Sequence, residues 1–173
     1  MSDHGKRLRR APMTLESRRA QLESSGLFVV ESECEASEGL GVWPAWQHII
    51  SGNVVPTATV RSDGPNVAAE VDARWRELAV QHSVIDDRGE FLVSVAGAGA
   101  RELRWAKVRM TARAELARNL TDQPSSVHHP HPEFVTTDVL GRTVLGVTTE
   151  EYDVWLILSQ VKAIPPAPGG SRT

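Results

Sequence analysis

The stretch Arg101–Leu120, RELRWAKVRMTARAELARNL, decides how this chain is read. Wound as a helix at 100° per residue, it shows two apolar faces instead of one. Leu103, Ala106, Met110, Ala114 and Ala117 share one face, and Trp105, Val108, Ala112 and Leu116 share the opposite one. Basic stripes run between them: Arg104, Lys107 and Arg118 on one side, Arg109 and Arg113 on the other. An ordinary surface helix buries a single face. A helix with two must be sandwiched inside its own domain or shared with another molecule.

Around this stretch the composition fits a globular domain. The chain has 173 residues, of which 40% are hydrophobic and 24% charged. That length suits one domain able to bury most of its apolar surface without covalent staples. Net charge is −3, unevenly spread. Within residues 1–20, six basic side chains face two acidic ones, so this end carries +4 and the remainder −7. Arginine outnumbers lysine sixteen to three, a bias expected of a GC-rich bacterial or phage genome. Cys34 is the single cysteine, which rules out an intramolecular disulfide and a cysteine-rich zinc site. Residues 1–12 contain no apolar core of signal-peptide length, and no run reaches 18 apolar residues. The expectation is a cytoplasmic protein with no membrane partner.

Signals along the chain divide it into elements. Residues 1–12 read as a disordered basic arm, 13–163 as one globular domain and 164–173 as a disordered tail. Thr14 caps a helix running through Ser24, with Gly26 as its stop. Leu27–Glu31 reads as a strand, and ESECEASE after it as a solvated strand end or loop. Pro44 suits the first turn of a helix, WPAWQHII, that stops at Gly52. Val54–Arg61 is strand-like, and Pro56 assigns it to an edge. Val67, Val71, Trp75, Leu78 and His82 recur at helical spacing after Pro65. The next stretch reads both ways: Asp87 and Glu90 together resemble a capping box, which favours a helix, while Phe91–Val95 equally suits a strand. Residues 121–133 form a linker rich in Pro, Ser and His. Phe134–Val139 and Thr143–Val147 flank Gly141–Arg142 as a hairpin. The fold class expected is α+β, helix-rich, with a few short antiparallel strands and flexible termini.

No stretch fixes a reaction. AGAGAR at Ala96–Arg101 lacks the third glycine of a dinucleotide fingerprint and reads as a close turn. His128 and His131, with His129 and Glu133, are competent metal ligands by type, but Pro130 and Pro132 place them on an extended linker. Glu31, Glu33, Glu35 and Glu38 lack the Asp/Asn–Gly pattern of a calcium loop. His48 and His82 lie in apolar helices and read as packed, hydrogen-bonded residues. No catalytic residue and no cofactor is implied.

The segment GRTVLGVTTEEYDVWLILSQ, Gly141–Gln160, resembles the opening of a winged-helix DNA-binding domain: a short hairpin, then a Thr-x-x-Glu-Tyr start and an apolar first helix. Thr148, Glu151, Tyr152, Val154 and Leu156 carry that resemblance. It implies a helix over 149–162. The β-branched content of YDVWLILSQVK keeps a strand open as the alternative. The turn, recognition helix and wing of that family have no counterpart in IPPAPGGSRT, and no DNA-reading residue is carried over.

Taken together, the residues point to a non-enzymatic interaction or assembly protein that binds a protein partner or itself. The contact expected is Trp105, Val108, Ala112 and Leu116, rimmed by Arg104, Arg109 and Arg113. The alternative is a nucleic-acid-associated protein using Lys6, Arg7, Arg9, Arg10, Arg18 and Arg19 together with the basic stripes. An enzyme whose site is assembled from scattered residues is the third class.

Overall fold

In a computed structural model, which describes residues 11–121 and 131–162, the chain folds around one seven-stranded antiparallel sheet. The elements run α1 (Leu15–Ser24), β1 (Phe28–Cys34), α2 (Val42–Ile50), β2 (Ala58–Arg61), α3 (Val67–Gln81), β3 (Glu90–Val95), β4 (Trp105–Arg109), α4 (Leu116–Asn119), β5 (Phe134–Thr137), β6 (Thr143–Thr149) and β7 (Asp153–Gln160). Across the sheet the strands lie in the order β1-β4-β3-β5-β6-β7-β2. The helix-rich expectation is therefore corrected: the sheet organises the fold, and the helices cover it.

The largest correction falls on Arg101–Leu120. It is not a helix but a 3-10 turn at Ala100–Glu102, then β4, a turn, and the single turn of α4. Trp105-Ala106-Lys107-Val108-Arg109 alternates between faces with period two. Ala106 and Val108 enter one core, whereas Trp105 enters the other. The two helical faces read in the sequence do not exist as such: Val108 and Leu116 of one share a core with Ala106, Ala114 and Ala117 of the other, Trp105 lies across the sheet from them, and Ala112 is exposed. The same happens at 149–162, where the expected helix is β7, paired with β6 from Thr143↔Gln160 to Thr149↔Val154. Thr148 and Glu151 form no capping box. Thr148 Oγ1 instead donates to Glu150, and the N–H of Glu150 donates to the carbonyl of Asp153, tying off a hairpin. Asp87 and Glu90 likewise open no helix. Asp86 accepts the N–H groups of Arg88 and Glu90 in a turn that leads into β3.

Other elements follow the local signals. Thr14 and Ser17 close a reciprocal capping box at α1. β2 occupies a sheet edge, and β5 pairs with β6 around Gly141, which adopts a positive φ of 82°. β1 extends further than LFVVE, taking Ser32–Cys34 into the sheet, with two register shifts against β4.

The sheet has a core on each side. On one, α1 and α3 pack Leu22, Val71 and Trp75 against Phe91, Val93, Val108, Phe134 and Leu156. Trp75 lies 5.3 Å from Phe91 and 6.2 Å from Phe134 between ring centroids, and its indole N–H donates to Thr136. On the other, α2 covers Leu92, Val135, Val144 and Ile157. β3 is buried at all six positions, as a central strand with both faces covered must be.

Arg18 is the one fully buried arginine among the described residues. From α1 it donates to the carbonyls of Arg104 (2.5 Å) and Ser32. The second acceptor belongs to the stretch where β1 slips out of register with β4, so Arg18 supplies a donor that the irregular ladder does not.

Candidate functional site

The helix α2, VWPAWQHII, carries no Asp, Glu, Lys or Arg. Its inner face holds Val42, Ala45, Trp46 and Ile49, all buried. The Trp46 indole N–H donates to Ser94 Oγ at 3.0 Å, and His48 Nδ1 meets Ser159 Oγ at 2.9 Å. Ile49 lies against Gly146 of β6, where a Cβ would sit 2.5 Å from its Cδ1 and Cγ2. These contacts press the helix close to the sheet.

The outer face is also apolar. Trp43 is 43% exposed and Ile50 42%, with Gln47 between them at i+4 and Pro44 beside them. Val55, just beyond the helix, is 80% exposed. Positions 43, 47 and 50 fall on one side of the helix. A surface helix without charge, showing a tryptophan and an isoleucine to solvent, departs from the usual polar outer stripe. A two-faced helix thus exists in this protein, but it is α2.

Arg101 closes one end of this face. Its guanidinium lies 4.8 Å from the Trp43 ring centroid and 5.4 Å from that of Trp46. Beside it is a pocket of about 300 Å³ lined by Leu40, Val42, Arg101, Arg104, Trp105 and Cys34, among others. Trp105 is fixed there by its indole N–H, which donates to the Leu40 carbonyl at 2.8 Å. Burial pushes the Cys34 thiol up to about 11, and the Glu31 carboxylate adds to the rise. The thiol therefore stays protonated at neutral pH and is a poor nucleophile. A second pocket, of about 500 Å³, flanks α2 beyond Gly39–Gly41, with Pro44, His48, Arg142 and Lys162 in its walls. Arg142 is engaged there by Glu38, through Nε at 2.8 Å and through Nη2.

The residues singled out in the sequence are dispersed. Trp105, Val108 and Leu116 are at most 1% exposed and belong to the core, so they offer no contact surface. Ala112 and Arg113 are exposed in the turn after β4. Arg104 and Arg109 are exposed at the two ends of β4 and approach Glu35 (3.9 Å) and Glu90 (2.7 Å). Of the basic arm, Lys6, Arg7, Arg9 and Arg10 lie outside the described residues. Arg18 is buried and engaged with backbone carbonyls, which removes it from any phosphate-binding set. Arg19 pairs with Glu23 at 2.8 Å. The basic stripes do not form, and Lys107 is held between Glu31 and Glu90 at 3.5 and 3.7 Å.

His128 lies outside the described residues, and His131 is exposed. Among the described residues no group of three His, Cys, Asp or Glu side chains could hold a metal ion. Nor is any described helix long and apolar enough to cross a membrane.

Trp43, Gln47, Ile50 and Arg101 are absent from the contact read in the sequence. The signal was present: WPAWQHII has no charge on any side. No family model matches this chain, and neither a curated protein nor a solved structure was found to be similar to it.

Proposed function

We propose that this is a non-enzymatic interaction protein whose contact surface is the outer face of α2. The observation that carries the reading is the exposed, uncharged stripe Trp43–Gln47–Ile50, with Arg101 stacked on Trp43. Tryptophan and arginine are the residue types most enriched at binding hot spots, where a large ring is desolvated beside a charge that keeps its partners. Here the guanidinium already lies over the ring at 4.8 Å, a contact that favours the bound orientation and lowers the ordering cost of binding. The rigid seat of α2 on the sheet does the same for the backbone. A cytoplasmic setting fits a chain whose single cysteine can form no internal disulfide.

A photoreactive amino acid at position 47 tests this reading without assuming the partner. Irradiated in the cell that naturally makes the protein, it should give discrete adducts, whereas the same group at the exposed position 77 of α3 should not. Equal labelling at both positions, or none at 47, would remove α2 as the contact surface.

A further inference from the structure

We infer that the partner of the α2 face is a second copy of this chain, packed with its α2 antiparallel across a two-fold axis at Gln47; this rests on α2 being the contact surface. Three observations carry it. The first is the order along the stripe. Gln47 lies four residues from Trp43 and three from Ile50, so a two-fold through Gln47 sets Trp43 on the copy's Ile50 and Ile50 on the copy's Trp43. The amide at the centre can donate and accept at once, so two Gln47 side chains satisfy each other.

The second observation is charge. The chain is net negative, yet α2 has no charged residue, so two copies can approach there without repulsion. Arg101 sits at the Trp43 end of the stripe. The antiparallel arrangement brings it to the other copy's Ile50 end, where α2 leaves carbonyls pointing outward as its backbone becomes extended at Ser51. A cation is favoured beside those carbonyls. A parallel pairing would instead set Arg101 beside the Arg101 of the second copy, cation against cation.

The third is area. Nine helical residues span only about 13 Å, so α2 alone does not supply the ~800 Å² per partner of a standard interface. Val55, 80% exposed just beyond α2, and the Arg101 segment extend the patch at its two ends, and the dyad uses both ends twice. The association expected is therefore concentration-dependent, at the weak end of specific dimers.

Cysteine trapping tests the arrangement, in full-length protein carrying Cys34→Ser so that no native thiol competes. Under copper–phenanthroline and air, Gln47→Cys should give a disulfide-linked dimer on a non-reducing gel. Trp43→Cys and Ile50→Cys should each fail alone and cross-link when the two are mixed. Self-linkage of Trp43→Cys or Ile50→Cys alone, with Gln47→Cys no better, would mean a parallel pair and overturn the proposal. Absence of any linkage would overturn it as well. If position 47 still photolabels a different protein, the interaction function stands and only self-association falls. Circular dichroism on each variant separates loss of linkage from loss of fold, and Arg101→Glu, on an exposed side chain, should weaken linkage through Gln47→Cys severalfold.

Discussion

Ile49 occupies the space that a side chain on Gly146 would need. A Cβ at position 146 would lie 2.5 Å from both Cδ1 and Cγ2 of Ile49, closer than carbon atoms can approach. The absence of a side chain in the middle of β6 is therefore what lets α2 lie down on the sheet. Gly146→Ala should lift or tilt the helix and destabilise the protein by ~1–3 kcal/mol, the usual cost of overpacking. Urea unfolding measures this. Ile49→Ala removes both contacting carbons and should therefore cost less in the Gly146→Ala background than in wild type, and equal costs in the two backgrounds would mean that the two residues are not coupled.

Arg18 should behave as a structural residue. Arg18→Met keeps much of the apolar stem but leaves the carbonyls of Ser32 and Arg104 without their donor. A loss of about 2–3 kcal/mol is expected for removing charge-assisted bonds from a buried site. A fully stable Arg18→Met protein with altered nucleic-acid affinity would restore the reading of Arg18 as a phosphate contact.

Asp72 of α3 predicts a pH dependence. Burial pushes its carboxyl up to about 6, although the N–H groups of Ala117 and Leu116 and the charge of Arg76 favour the ionised form; Glu115 adds to the rise. Its ordinary value is 3.8. Between these values the folded protein holds a proton that the unfolded chain has released, so this group's contribution to stability falls as pH rises from about 4 to 6. Above pH 6 the full penalty, at most ~3 kcal/mol, is present. Asp72→Asn should abolish it. The difference in urea midpoint between variant and wild type should grow in the variant's favour from pH 4 to pH 7, and a flat difference would refute the assignment.

Trp105→Glu should unfold the protein rather than dissociate an assembly. The side chain is 1% exposed, and a carboxylate in its place would be buried without a partner. That costs several kcal/mol of a total stability that is ordinarily about 5–15. Far-ultraviolet circular dichroism reads the outcome. A folded, monomeric Trp105→Glu protein would contradict the strand assignment of β4.

How far the sequence was legible depended on how many faces each element buries. α1 and α3 were readable because one face of each meets the core and the other meets water, and because Thr14 caps α1. The β5–β6 hairpin was readable from its turn. β4 and β7 were not. In a strand covered on both faces, apolar residues no longer alternate with polar ones, and a short run then satisfies helical and strand periods equally. Trp105, Val108, Ala112 and Leu116 share a helical face only because intervals of three and four residues recur in a strand, a turn and one helical turn placed end to end. The contact face was legible in part. Trp43 and Ile50 stand in a helix placed correctly by Pro44, but nothing in one sequence says which of two apolar faces a neighbouring sheet will cover.

Light scattering behind size exclusion, over a dilution series of wild type and Trp43→Glu, tests the central claim most directly. Trp43 is on the surface, so the variant should keep its circular dichroism spectrum. Wild type should rise with concentration from 18.9 kDa toward twice that mass, while Trp43→Glu stays at 18.9 kDa throughout. Wild type fixed at 18.9 kDa at every concentration, or a Trp43→Glu protein that associates as the wild type does, would contradict self-association through α2.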